Sequence, residues 1–443
     1  MAESTFGRRV VNDGKFVTRL KSGGRITTET ADRIRAYIER TSPGIVVTPS
    51  SHLVAFDEAT PAPSRPATKP EQNFRFYDNR QKYLLFVNTC SEKSVIAERI
   101  AMELGDVAPA PPGLRVFDAG VGDGTVLARV MRSMHDKFPT IPFYVVGKEI
   151  SLEDVRLALD KMPDRFHEHP ATVLVMTNMY YREAPWLTPE SANAAQDLCW
   201  REVALTGSSS AQFDRQIRGL HGFLTENWTA RISKTTGNPL YERPAVLVIY
   251  RADHEFLLAP LRPKPSDARA DFDLVIASQP YRARAPVQFK AEKVLAPLVR
   301  ALGPGGRLIG IHSYGHDPGL EIIQRIWPDE NPFQTSRDEL MRATKQALGA
   351  DARNYVFNVY ADQRSIFEYE MHTLPSEIST SVGTSTLLAA WNAAIYVAQI
   401  EDHRLQTVMG DSGYLDATRD VLRKHGRLWF QNESYVVARR GAR

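Results

Sequence analysis

Cysteine is nearly absent: Cys90 and Cys199 are the only two in 443 residues. Two thiols supply neither a disulfide framework nor zinc-ligand spacing, and both are expected to stay reduced in a cytosol. Long hydrophobic runs are missing too. The longest, Leu387 to Ile400, has 14 residues and contains Asn392 and Gln399, short of the ~20 apolar residues a membrane helix needs. The opening MAESTFGRRV lacks the apolar core of a signal peptide. A cytoplasmic location and no membrane partner are therefore expected. Charge of one sign is also scarce, since 55 Lys and Arg meet 52 Asp and Glu for a net +3, which does not by itself imply a polyanionic partner. No internal repeat is visible. No metal site is expected, because His167-Glu168-His169 brings alternate side chains together only if extended. What is present, 43% hydrophobic and 24% charged residues, is ordinary for a globular protein and excludes wholesale disorder.

The most informative stretch is Val116 to Val130, VFDAGVGDGTVLARV. An apolar run, an acid, three alternating glycines and an apolar-periodic segment predict a strand, a tight loop and a helix. Gly120, Gly122 and Gly124 allow a sharp turn and close approach of a ligand. A dinucleotide fingerprint needs G-x-G-x-x-G, and Thr125 stands where the third glycine belongs. Asp118 before the loop and Asp123 inside it form a poor cradle for pyrophosphate but suit a ligand carrying an ammonium or sulfonium.

The first 56 residues form a small accessory segment. VVNDGKFV predicts a hairpin around Asp13-Gly14, and Thr27 or Thr28 a helix start running to about Arg40. Nine basic against five acidic side chains in residues 1–40 read as a solvated surface. Pro61, Pro63, Pro66 and Pro70 predict an extended linker over 57–73, and the main domain spans 74–443. Within it, Thr89 and Glu92 have capping-box spacing before a helix through Ile96, Ile100 and Leu104. A second strand at Phe143 to Val146 leads to Glu149, an acid placed to accept both hydroxyls of a ribose. Ser151 and Asp154 start a helix ending near Met162-Pro163. A third strand, Thr172 to Met176, is followed by Asn178 and Met179. Residues 188–244 form an insertion, expected to be a lid, and AVLVIY at 245–250 is a strand of open placement. DFDLVIASQPY gives a fourth strand ending at Ser278-Gln279-Pro280-Tyr281. A helix to about Leu302, a Gly303-Pro304-Gly305-Gly306 turn and a fifth strand, Arg307 to His312, follow. Residues 330–400 form an additional cap or sheet extension.

The D-x-G-x-G-x-G after a strand resembles the first motif of the class I S-adenosylmethionine-dependent methyltransferases. Glu149 and the helix, G-P-G-G turn and fifth strand extend the resemblance over about residues 80–315, and RLWFQNESYVVARR resembles the antiparallel final strand of that family. The implied fold is α/β: a Rossmann-like, mostly parallel seven-stranded sheet with helices on both faces and an antiparallel last strand, plus the inserted lid and the small N-terminal segment. The implied cofactor is S-adenosyl-L-methionine, held by Asp118, Gly120, Gly122, Asp123, Gly124, Glu149, Asn178, Met179 and Ser278, with Asn178 and Met179 beside the adenine. The segment before the first strand often closes over the cofactor in this family, which adds Tyr77, Lys82 and Asn88.

Methyl transfer asks the protein mainly to align donor and acceptor and, where necessary, to take a proton. SQPY is similar to the Asn/Asp-Pro-Pro-Tyr motif of methyltransferases acting on planar amino groups, but differs at two of four positions. Gln279 and Tyr281 are the candidate substrate-facing residues, and His312 the candidate base, with Tyr314 and His316 close by and Tyr180 and Tyr181 as further pocket candidates. The expected function is methyl transfer to a small-molecule or protein acceptor. A nucleic-acid N-methyltransferase and a non-catalytic scaffold that binds S-adenosylmethionine are the alternatives.

Overall fold

The computed structural model describes residues 80–441 except 234–237, 266–268, 359, 374–377, 379–381 and 411, together with residues 10, 13, 15–21, 34 and 37. The chain divides into two units, Met1–Pro70 and Glu71–Arg443. In the first, the expected hairpin gives way to a helix, Phe16–Lys21. Asp13 explains the change: its carboxylate accepts Lys15 N at 2.9 Å and its carbonyl accepts Phe16 N at 3.2 Å, a turn that starts a helix. Of the expected helix to Arg40, Ile34 and Tyr37 are described and helical. The linker and Tyr77 lie outside the described residues.

The second unit contains strands β1 (Leu114–Asp118), β2 (Phe143–Lys148), β3 (Thr172–Thr177), β4 (Cys199–Leu205), β5 (Ala230–Ile232), β6 (Pro239–Tyr241), β7 (Ala245–Arg251), β8 (Phe272–Ser278), β9 (Leu302–Ser313), β10 (Tyr355–Asn358), β11 (Ile366–Glu370) and β12 (Trp429–Arg439). The helices used below are α1 (Arg80–Thr89), α2 (Glu92–Glu103), α3 (Thr125–Lys137), α4 (Leu152–Leu159), α5 (Met162–Glu168), α6 (Ser210–Arg218), α7 (His221–Asn227), α8 (287–300, π-helical over Lys290–Leu295), α9 (Pro318–Ile326), α10 (Arg337–Leu348), α11 (Thr384–Val397) and α12 (Gly413–His425).

The main sheet has the order β10-β12-β9-β8-β1-β2-β3-β7-β4, with β11 also pairing with β12. Pairs β1/β2, β2/β3, β1/β8 and β8/β9 are parallel, and β12 runs antiparallel to β9. The seven strands from β10 to β3 are thus the doubly wound sheet with an antiparallel last strand that the sequence implied. Among the described residues β4, β7 and β11 extend these seven strands to a sheet of ten. AVLVIY forms β7, antiparallel to β3, and residues 199–205 of the insertion form β4 at the edge. Every β7 residue is buried, the signature of a strand covered on both faces.

Alternation along the strands sorts side chains between two cores. Val116, Val145, Leu174, Ile276 and Ile309 face one side with Ile96 and Ile100 of α2 and Val126, Leu127, Val130 and Met134 of α3. Phe117, Val146, Val175, Val275 and Leu308 face the other, against Val294 and Leu298 of α8 and Leu340 of α10. Each such fully buried side chain contributes roughly 1.5–3 kcal/mol. A third core joins α1, α9, α11 and α12 around Phe86, Ile322, Trp391 and Phe430. The apolar stretch from Leu387 belongs to α11, nine of whose 14 residues are buried. Among the described residues no helix is long and apolar enough to cross a membrane.

Three local expectations shift. Thr89 closes α1, its hydroxyl donating to Leu85 O, and Ser91 precedes α2 instead. Pro163 sits in the first turn of α5, where a missing N–H costs nothing. Residues 303–306 loop out of the β8/β9 ladder: Phe272 faces Leu302 and Leu274 faces Arg307.

Candidate functional site

The carboxyl ends of the parallel strands converge on the glycine loop. Every backbone amide from Ala119 to Thr125 has an acceptor. Ala119 N donates to Ile276 O (2.9 Å), Val121 N to Lys148 O (3.1 Å) and Gly124 N to Val121 O (3.0 Å). Gly120 N donates to Asp118 Oδ1 (3.1 Å), Gly122 N to Glu149 Oε2 (2.9 Å), Asp123 N to the Tyr83 hydroxyl (3.3 Å) and Thr125 N to Asp123 Oδ1 (3.4 Å). No loop amide is left to cradle a pyrophosphate. The glycines have separate reasons. Gly124 has φ +80°, and a Cβ there would come 2.6 Å from Ala158 Cα, so it lets α4 pack against the loop. Gly120 is exposed, and a Cβ would have no atom within 4 Å. That open strip beside Asp118 is room for a ligand against the backbone.

Asp118 is 2% exposed. Burial, reinforced by Glu149 and opposed by Gly120 N and Lys93, pushes its carboxyl up to about 7. A cation placed beside it would favour the carboxylate form. Glu149 accepts Gly122 N through one oxygen and Ser151 N (2.9 Å) through the other. Ser151 in turn caps α4 by accepting Asp154 N. Behind Glu149, Trp228 from the insertion donates its indole N–H to the Glu149 carbonyl at 2.7 Å.

Asp123 is turned to structural work. It accepts the Tyr83 hydroxyl at 3.1 Å and the Thr125 hydroxyl, and meets Lys161 Nζ at 3.4 Å. Burial would raise its carboxyl, but Lys93, Thr125, Lys161 and Tyr83 hold it below the ordinary value. Tyr83, not Lys82 or Asn88, is therefore the residue that α1 places on the loop. Lys82 pairs with Asp402, and Asn88 donates to Leu84 O within its own helix.

The two residues expected beside the adenine are engaged within the fold. The Asn178 amide donates to Arg243 O (2.9 Å) and Asn227 O (3.3 Å) and accepts Ala245 N (2.8 Å). It clips β3 to the start of β7, and a side chain so engaged has little to offer a base. Met179 is fully buried in the core that contains Phe117. Tyr181, by contrast, crosses from the end of β3 to the end of β8, donating to Pro280 O at 2.7 Å with Lys148 Nζ 4.9 Å above its ring. The three residues 167–169 do not gather: His167 meets Ser208 O, Glu168 pairs with Arg165, and His169 stacks on Phe143. Among the described residues no cluster of three metal-ligating side chains occurs.

Ser278 ends β8 opposite Ile311. Gln279, at φ +48°, donates its Nε2 to Ser313 Oγ (3.1 Å) and Asn432 Oδ1 (3.3 Å). Tyr281 and His312 are brought together: the hydroxyl lies 3.0 Å from His312 Nδ1 and 2.9 Å from the Tyr435 hydroxyl, while His312 Nε2 lies 2.7 Å from Glu433 Oε1. A carboxylate only accepts, so in the neutral ring Nε2 donates to Glu433 and Nδ1 accepts from Tyr281. Burial pushes the Tyr281 hydroxyl well above its ordinary value, so it stays protonated at rest. Lys290, 2% exposed, lies 5.2 Å above the Tyr281 ring and donates to Ala283 O (2.7 Å) and Thr335 Oγ1 (2.9 Å). Burial lowers it to about 8. Glu433, Tyr435 and Lys290 are additions to the sequence reading. For Glu433 the available signal was an acid in the middle of a segment that reads as a strand, where a buried carboxylate is kept only with partners.

No protein-family model and no curated protein matches the chain. Among solved structures, it is similar to a geranyl diphosphate methyltransferase in complex with GPP and sinefungin, at 13% identity over 78% of each chain and a TM-score of 0.30. It is similar to PKMT2 from Rickettsia typhi in complex with AdoHcy, at 10% identity over 77% of this chain and 52% of that one, TM-score 0.24. It is also similar to the rRNA methyltransferase aviRa from Streptomyces viridochromogenes, at 12% identity over 49% and 73%, TM-score 0.20.

Proposed function

We propose that this chain is an S-adenosylmethionine-dependent methyltransferase acting on a small-molecule or protein acceptor. The observation that carries the reading is the loop after β1. Its amides are all satisfied internally, which disfavours a pyrophosphate, while the backbone is open at Gly120, which donates its amide to Asp118 two residues before Gly122 donates to Glu149. Asp118 suits a cationic group, Glu149 a pair of ribose hydroxyls. Bound there, S-adenosylmethionine supplies an electrophilic methyl group whose carbon–sulfur bond breaks as the acceptor's new bond forms, leaving a neutral thioether.

The chain's own part is to position the acceptor and receive its proton. Tyr281 is the relay and His312 the proton store, with Glu433 stabilising the imidazolium that results. The Pro280 carbonyl already accepts the Tyr181 hydroxyl, so SQPY presents a less open set of acceptors than a planar amino group requires. This favours the small-molecule or protein acceptor over a nucleic-acid base.

Calorimetric titration of the full chain with S-adenosylmethionine and S-adenosylhomocysteine, with NAD as control, tests the cofactor. Micromolar or tighter binding of the first two alone is expected. Binding of NAD alone, or of none of the three, sinks the reading.

A further inference from the structure

A cleft of about 380 Å³ opens beyond the end of β9, at the start of α9. Its size falls in the range of small-molecule sites. The local sequence builds it. Gly315 and His316 are consecutive left-handed residues at φ +77° and +60°, a conformation disfavoured for a residue with a Cβ. They turn the chain so that the Phe333 ring packs on Gly315, where a Cβ would come 2.7 Å from the ring. Tyr314 N donates to Gln431 O at 2.8 Å, which fixes Tyr314 beside β12, whose first residue is Trp429. Tyr314, Phe333 and Trp429 thus line one cleft with three aromatic rings.

Both carboxylates of the cleft are already engaged. Glu321 is bound by His425 at 2.8 Å, Lys424 at 3.0 Å and Arg325 at 3.2 Å. Both oxygens of Asp317 accept backbone amides, from Leu320 at 2.8 Å and Gln431 at 3.0 Å. Glu321 is thus committed to three bases of its own chain, and Asp317 to two backbone amides. Asn331 accepts Phe333 N through its Oδ1, which keeps its NH2 group as a neutral donor. Phe333 also lines the small internal pocket formed by Tyr281, His312 and Lys290, so one ring separates the cleft from the proton-receiving group.

Resting on the methyltransferase reading above, we infer that this cleft is the acceptor site, and that the acceptor is a small uncharged planar aromatic molecule carrying an ionisable hydroxyl. Its ring packs among Tyr314, Phe333 and Trp429, and its polar substituent points past Phe333 toward Tyr281 and His312. Uncharged rings are favoured because aromatic faces reward area and stacking, and because Glu321 and the bases around it are already paired with one another.

The probe is 2-naphthol, with 2-naphthyl phosphate and 2-naphthylmethylammonium as charged controls on the same ring. Saturation-transfer NMR on the full chain, with and without S-adenosylhomocysteine, should show saturable binding of 2-naphthol and at least tenfold weaker binding of both controls. Trp429→Ala and Phe333→Leu should each weaken 2-naphthol at least tenfold, while circular dichroism and the S-adenosylhomocysteine titration stay as in the parent. Equal or tighter binding of a charged control overturns the ligand class. Unchanged 2-naphthol affinity in both folded variants overturns the site, as does failure of 2-naphthol to bind a chain that binds S-adenosylhomocysteine. If 2-naphthol binds and no cofactor does, the aryl site stands and its role as acceptor site falls with the methyltransferase reading.

Discussion

Glu149 Oε2 lies 2.9 Å from Gly122 N, and its other oxygen accepts Ser151 N at the same distance. One carboxylate thus fastens the glycine loop to the cap of α4. Replacing it with alanine leaves two amides without their acceptor, a loss on the order of 1–3 kcal/mol each if water does not substitute. Glu149→Ala should therefore lower stability and weaken S-adenosylhomocysteine at least tenfold, measured by urea unfolding and calorimetry. Glu149→Gln keeps one acceptor oxygen and should fall between. Full affinity in a folded Glu149→Ala protein would remove this residue from the site.

Asn178 makes the opposite separation. Its amide joins Arg243 O, Asn227 O and Ala245 N, all backbone groups of the neighbouring segments. Asn178→Ala should cost about 1–3 kcal/mol of stability and leave S-adenosylhomocysteine affinity within about twofold in protein that remains folded. A large affinity loss with unchanged stability would restore the adenine contact.

Asp118 ties cofactor binding to pH. In the unfolded chain its carboxyl ionises near 3.8, and in the fold it keeps its proton up to about 7. Between those values the folded state binds more protons, so the contribution of Asp118 to stability declines as pH rises from about 4 to 7. Above 7 the buried carboxylate is charged and gains from a cation. Affinity for S-adenosylmethionine should therefore rise between pH 6 and 8, by at most about tenfold per unit where Asp118 is mostly protonated. Asp118→Asn should flatten that rise. Calorimetry across the range in both proteins decides it, and an identical pH profile in the variant assigns the titration to another group.

The strands and the glycine loop were legible in the sequence because local pattern determines them: apolar runs covered on both faces, glycines where a Cβ collides, and Ser151 at its cap. Tyr281 and His312 were likewise legible as residues at the ends of adjacent parallel strands. What was hidden depends on partners distant in the chain. Asn178 follows β3 where an adenine contact belongs by strand order, and only β7, brought alongside by the insertion, takes its amide. Glu433 becomes the partner of His312 because β12 returns antiparallel beside β9 from 121 positions away. Tyr83 was missed for its neighbours Lys82 and Asn88, since which face of a short helix meets the loop is set by packing rather than by its own sequence.

The two ends of the glycine loop should respond differently to one added methyl group. At Gly124 a Cβ meets Ala158 Cα at 2.6 Å, and φ is +80°. Gly124→Ala therefore combines left-handed strain of about 1–2 kcal/mol with overpacking against α4 of about 1–3 kcal/mol. It should lower the unfolding midpoint and displace the Ser151 cap. At Gly120 the Cβ finds open space, so Gly120→Ala should leave the midpoint nearly unchanged. If the strip beside Asp118 is where the cofactor lies against the backbone, that methyl group occupies its volume, and affinity for S-adenosylhomocysteine should fall at least tenfold. Thermal unfolding and calorimetry of both variants test this together. A stable Gly120→Ala protein that binds S-adenosylhomocysteine as tightly as the parent would show that the open strip is not the cofactor's path.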